Sequence, residues 1–242
     1  MAAYDDEIKL LASDFRSKNR LSESEPIDCK NLVLRLNVLT VYKLLSDDFS
    51  GMCLKRNENR FILINAKHSK GRQHFTIAHE LYHLFIQDSF APHYCNPGSK
   101  TRDINEQKAD LFASNLLMPE MGIKMNIPNE ERVEKEISLA TLLKLERIFS
   151  VSHMAMLIRL KELKLISSHK FIQFSNIPIC QAALMHGYDT SLYEGGNQGL
   201  VIGDYGILAK EKYDNEKISE GHYRKLLSEI GIDLTKINHV ED

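Results

Sequence analysis

Residues Arg72 to Gln87, read as one helix, are apolar on nearly every side, yet within them stand His79 and His83 with a glutamate between, in the order His79-Glu80-Leu81-Tyr82-His83. At about 100° per residue, Ile77, Leu81 and Leu84 fall opposite the histidines, and Phe75, Ala78, Tyr82 and Phe85 flank them, which places the helix at the centre of a fold. A buried carboxylate without a partner is costly. A divalent cation removes that cost. His79 and His83 lie about 40° apart, one turn above the other, so both imidazoles can reach a single ion. Glu80, about 100° further round, can reach a water beside the ion without coordinating it. The competing reading is a chance pentapeptide in a chain with 10 histidines, and it leaves the buried charge unexplained.

A structural zinc site takes four protein ligands, often thiolates, whereas a catalytic site takes three and leaves one position open for water. Cys29, Cys53, Cys95 and Cys180 are scattered and form no C-x-x-C pair, which argues for reduced packing thiols. A third ligand must therefore come from downstream. Ser89, not histidine, stands six residues after His83, and Asp88 points about 180° away from His79 if the helix continues. A second helix from about Ile104 to Met118, stopped by Pro119, places Glu106, Asp110, Ala113 and Leu117 within about 60° of one another. Ala109 and Ala113 permit close approach. Glu106 can then bind zinc while Asp110 accepts a hydrogen bond from the outer nitrogen of a liganding histidine. The alternative for these two is a solvated carboxylate pair.

Around these helices the chain reads as α+β. Asp5 or Asp6 can cap a first helix through Ile8, Leu11 and Phe15, and Asp28 a second running to about Asn37. Leu39 to Tyr42 reads as a strand, and Gly51 to Arg56 with Arg60 to Ala66 as a hairpin around Asn57, Glu58 and Asn59. Phe61 to Asn65, the most apolar strand, could pair with an extended substrate if it forms the sheet edge, with Asn65 as a polar contact at its end. Glu120 to Glu136 looks like a charged connector. Ser138 to Ser150 and Ser152 to Leu165 read as two helices joined by a tight turn. From about His169 the chain mixes short apolar runs with turns such as Gly195-Gly196-Asn197-Gln198-Gly199, then a helix from Ser219 to Ile230. The expected organisation is an α+β core with a small mixed sheet and the two ligand helices over residues 1–128, a helix-turn-helix-like region over 129–168 and a small C-terminal α/β module over 169–242.

The sequence resembles the ImmA/IrrE family of zinc metallo-endopeptidases, gluzincin-like H-E-x-x-H zincins. The likeness runs from Pro26-Ile27-Asp28 through Phe61 to Asn65, Gly71-Arg72-Gln73-His74-Phe75-Thr76-Ile77-Ala78 and the H-E-x-x-H motif. It continues through Glu106-Gln107-Lys108-Ala109-Asp110-Leu111-Phe112-Ala113 to Leu116-Leu117-Met118-Pro119. It implies one zinc per chain held by His79, His83 and Glu106, catalysis by Glu80, and Asp110 supporting a ligand. Tyr82 stands where many members carry glycine, and His74 where arginine is common, a change expected to touch substrate contacts. Tyr82, His68, His93 and Tyr94 are candidates to stabilise the oxyanion. The resemblance implies a specific protein substrate, a helix-turn-helix transcriptional repressor whose cleavage relieves repression of mobile-element or stress genes.

Leu139 to Ile166 raises a second class of function, a DNA-binding or scaffolding protein. Arg159, Lys161 and Lys164 are a thin supply for phosphates and bases. With 31 basic and 33 acidic residues the net charge is -2, so there is no overall pull toward nucleic acid or anionic lipid. Direct DNA binding is not expected. Met1 to Arg20 lacks the apolar run of a signal peptide, and no segment approaches a membrane span, so the expectation is a soluble, cytoplasmic protein.

Overall fold

The computed structural model describes residues 4–88, 93–95, 103–134 and 136–232, with 93–95 described as backbone alone. Helix α1 (Asp5–Lys18) is followed by α2 (Cys29–Arg35), whose N-terminal N–H groups at Lys30 and Asn31 donate to the Asp28 carboxylate at 3.0 and 3.1 Å. Strand β1 (Val38–Lys43) and the hairpin of β2 (Gly51–Arg56) and β3 (Asn59–Asn65) come next. The hairpin turns at Asn57, whose φ of 54° lies in the left-handed region that asparagine tolerates.

Helix α3 (Lys70–Phe85) starts at Ser69, whose hydroxyl accepts from Arg72 N. It leads to β4 (His93–Cys95) and then to α4 (Ile104–Leu117). The expected connector is instead two short helices, α5 (Glu120–Met125) and α6 (Asn129–Glu134). Helices α7 (Leu139–Phe149) and α8 (His153–Glu162) begin at Ser138 and Ser152, each accepting a hydrogen bond from an N–H of the first turn. Helices α9 (Ser168–Ser175) and α10 (Ile179–Met185), strand β5 (Val201–Ile202), and helices α11 (Tyr205–Asp214) and α12 (Glu220–Glu229) complete the order.

The five strands among the described residues form one mixed sheet in the order β4-β2-β3-β1-β5. β1 runs parallel to β3, and the other pairings are antiparallel. This corrects the sequence reading of Phe61 to Asn65: β3 lies inside the sheet, and β4 and β5 are its edges. A continuous apolar run suits an interior strand covered on both faces better than a half-exposed edge. The expected C-terminal module is mainly helical, and its strand β5 joins the N-terminal sheet beside β1.

Helix α3 packs on β2 and β3, α4 packs on α3, and α1 packs on α4. The interior runs through all these layers, with Ile62, Ile64, Ile77, Leu81, Phe112 and Leu116 fully buried. Phe15 of α1 meets the Phe112 ring edge-on at 5.6 Å.

Candidate metal centre

Helices α3 and α4 can approach because Ala109 and Ala113 at their contact are small and fully buried. Two buried arginines hold the far end of α4. Arg16 of α1 donates through Nε to Leu116 O at 2.9 Å, and Arg159 of α8 donates to Met118 O at 3.0 Å and to Asn115 Oδ1 at 2.8 Å. Cations there satisfy the last carbonyls of the helix and complement its dipole. Glu106 sits in the first turn, at the opposite end, where a carboxylate is favoured.

The two helices bring His79, His83 and Glu106 together. His79 Nε2 and His83 Nε2 are 3.2 Å apart. Each lies 3.4 Å from a Glu106 oxygen, Oε2 for His79 and Oε1 for His83. The outer nitrogens are already committed: His79 Nδ1 lies 2.9 Å from Asp110 Oδ1, and His83 Nδ1 lies 2.6 Å from Gln87 Oε1. Both partners are acceptors, so both Nδ1 atoms carry the proton and both Nε2 atoms present lone pairs. Two lone pairs and a carboxylate converging in a buried space repel one another unless a cation lies between them. Donors bound tetrahedrally at zinc distances are about 3.3 Å apart. The residues present therefore fit a metal ion of that size.

Glu80 is fully buried on the side of α3 that meets β2. The contact is made possible by Gly51. A Cβ there would stand 2.5 Å from Thr76 Cγ2, 2.9 Å from Leu63 O and 3.5 Å from Glu80 Oε1. The bare backbone of β2 thus lies directly against the residue next to the first histidine.

Other residues singled out in the sequence fall into different roles. Asn65 is no substrate contact: it is fully buried, its amide donates to Ser46 O and Phe49 O, and its carbonyl accepts from Leu45 N and Lys67 N. It is the internal brace of the loop between β1 and β2. Tyr82 is buried, its ring packed edge-on against His83 at 5.4 Å and tilted against Phe112 at 5.8 Å, a packing environment. Burial, with Glu7 and Asp88 nearby, raises its pKa. His68 faces Asp47 O through Nε2 at 3.2 Å. His93 and Tyr94 stand on edge strand β4, in register with Cys53 and Met52, and their side chains lie outside the described residues.

His74 holds the turn between α7 and α8 through Ser150 O at 2.8 Å, which is a structural link where a substrate contact was expected. Gly71 admits the same turn: a Cβ there would lie 2.5 Å from Ser152 N. The helical pair therefore buttresses the start of α3, and Arg159, read from the sequence as a potential phosphate contact, is spent on α4. Gln87 and Gly51 went unnoticed in the sequence. Gln87 could have been found, since it lies four residues after His83. Gly51 could not, because its role depends on which helix crosses it.

A family model described as the IrrE N-terminal-like domain, peptidase M78, matches residues 33–161, just over half of the chain. The matched span runs from α2 through nearly all of α8. No curated protein matches the chain. Among the described residues, no helix is long and apolar enough to cross a membrane.

Proposed function

The chain belongs to the IrrE N-terminal-like family of metal-dependent peptidases, and from that premise we propose that it is a zinc endopeptidase with His79, His83 and Glu106 as ligands and Glu80 as general base. The observation that carries this reading is the set of donor separations, 3.2 and 3.4 Å, between two imidazoles of fixed tautomer and one carboxylate. Imidazole nitrogens with a single carboxylate suit zinc better than calcium or magnesium, and three protein ligands leave the open position of a catalytic site.

When bound, zinc supplies Lewis acidity, polarising the scissile carbonyl and making water acidic enough to react near neutral pH. Glu80 accepts the proton of the attacking water and returns it to the leaving amine. Asp110 and Gln87 hold the two imidazoles in the tautomer that presents Nε2 to the ion. An extended peptide adds to edge strand β4, which pairs with β2 at Gly51, the residue against Glu80. His93 and Tyr94 on that strand are the candidates for the oxyanion donor.

The substrate we assign is a helix-turn-helix transcriptional repressor in the cytoplasm, cut at one exposed loop so that repression is relieved. Family likeness supports this, and selectivity would come from docking the folded repressor. The test is incubation of the zinc-loaded protein with the repressor encoded next to its gene. Wild type should cut it at a single site while Glu80→Gln, still holding zinc, leaves it whole. Equal cleavage by both proteins, or by neither, refutes the assignment.

A further inference from the structure

The buried arginines Arg16 and Arg159 have their guanidinium groups turned onto carbonyl oxygens. Arg72, in the first turn of α3, differs. It is half-buried, and among the described residues the one hydrogen bond of its guanidinium runs from Nη2 to Ser50 Oγ at 3.0 Å. Burial lowers its pKa, and among the described residues no anion opposes that shift. The carboxylate of Asp47, in the same loop as Ser50, lies 3.5 Å from Lys67 Nζ and is 88% exposed. His68 stands close enough for the Arg72 charge to add to burial in lowering its own pKa. Arg72 is thus a partly desolvated cation, beside a second potential cation, that finds no counter-ion among the described residues.

Its position gives that charge a use. Seven residues before His79, Arg72 lies about 20° from it around the helix axis and about 10 Å along it, on the stripe that carries both histidines. Ser50, its partner, immediately precedes Gly51, which lies against Glu80. An extended peptide rises about 3.3 Å per residue, so a chain running along this stripe from the metal centre reaches Arg72 after about three residues. A guanidinium presents a planar fork of N–H donors that matches a carboxylate in two parallel bonds.

We propose that Arg72 is a carboxylate-recognising subsite of the peptidase cleft, taking an acidic group of the substrate about three residues from the scissile bond. The inference rests on the peptidase reading and adds to it a rule for choosing the loop that is cut. The carboxylate can come from an Asp or Glu side chain or from the end of a peptide chain.

Two experiments on the full chain test it. In the first, zinc-loaded wild type, Arg72→Gln and Arg72→Glu act on a library of amidated peptides and on the same library with free C-termini, and the cut sites are read by mass spectrometry. Wild type should favour Asp or Glu over Asn or Gln by about tenfold at one position two to four residues from the cut, the scale of one charge-assisted hydrogen bond. Arg72→Gln should lose that preference and Arg72→Glu should turn it toward Lys or Arg. A preference confined to the free C-termini identifies the chain end as the source. The second experiment needs no catalysis. The Arg72 Nε–H resonance of metal-free Glu80→Gln protein is followed while N-acetylglutamic acid α-amide, N-acetylalanine or N-acetylglutamine amide is added. One or both carboxylate probes should shift the resonance and the neutral amide should not. A library preference identical in wild type and Arg72→Gln, or a resonance indifferent to both carboxylates, overturns the proposal. A responsive resonance in a protein that cuts no peptide keeps the anion site and removes the peptidase.

Discussion

His79 Nδ1 and Asp110 Oδ1 are 2.9 Å apart, joining the middle of α3 to the second turn of α4. This contact fixes the tautomer and the plane of the imidazole before any metal arrives. Asp110→Ala should therefore weaken zinc binding by about 10–100-fold while leaving all three ligands in place. Competition with a chromogenic chelator measures it, and an unchanged affinity would remove Asp110 from the site.

Gly51 gives a second prediction. Its missing side chain lets β2 lie against Thr76 and Glu80, and the closest atoms to an added Cβ include Leu63 O, which belongs to the backbone and cannot swing away. Gly51→Val should cost about 1–3 kcal/mol of stability through overpacking. It should also slow peptide cleavage while zinc content stays at the wild-type level. Urea denaturation, metal analysis and a cleavage assay on one preparation separate the three effects.

The segment before β5 straps the start of the metal-binding helix. Lys70 N donates to Glu194 O at 2.9 Å and Gly71 N to Leu192 O at 3.1 Å, which satisfies two N–H groups that a helix start leaves open. Asn197 adds bonds to Gln73 Oε1 at 2.7 Å and from Lys30 Nζ at 2.9 Å. Asn197→Ala should lower stability by about 1–3 kcal/mol, because the Oε1 of buried Gln73 loses the amide that donates to it. Amide exchange at Lys70 and Gly71 should quicken in the same variant, and unchanged exchange would show that the strap does not hold the helix.

Stability should also fall as pH rises above neutrality, through His153. Burial by itself would lower its pKa, but the hydrogen bond and charge of the fully buried Glu146, together with Phe174 O, raise it above the ordinary value of 6.5. The folded state then keeps a proton that the unfolded chain has already released. The contribution is complete below the unfolded pKa and is lost as pH rises through the higher folded one. Urea midpoints of the wild type should drop as pH rises above about 6.5, and His153→Ala should flatten that slope. A wild-type midpoint independent of pH over this range would contradict the assignment.

Much of the centre was legible in the sequence because its information is local. The spacing of His79, Glu80 and His83 sets their positions on one helix, and Glu106, Asp110, Ala113 and Leu117 define a stripe fit to meet it. What escaped depended on distant pairing. The apolar run of β3 looks the same on an edge or in the middle of a sheet, and its place follows from β1 and β2 taking its two sides. Asn65 has a polar side chain at a strand end, and nothing nearby indicates that Ser46, Phe49 and Leu45 would use all of it. β5 has two residues and α5 and α6 have six each, too short for a periodic signal. His74 and Gly71 meet a turn that lies far along the chain.

The most direct measurement is zinc-edge X-ray absorption on purified wild type and on Glu106→Ala, with metal content determined on the same samples. The wild type should hold one zinc per chain in a shell of nitrogen and oxygen at about 2.0–2.1 Å with clear imidazole scattering, and Glu106→Ala should lose most of that metal. A wild type that takes up no zinc, shows sulfur in the shell, or keeps the same spectrum without Glu106 would contradict a site built from α3 and α4.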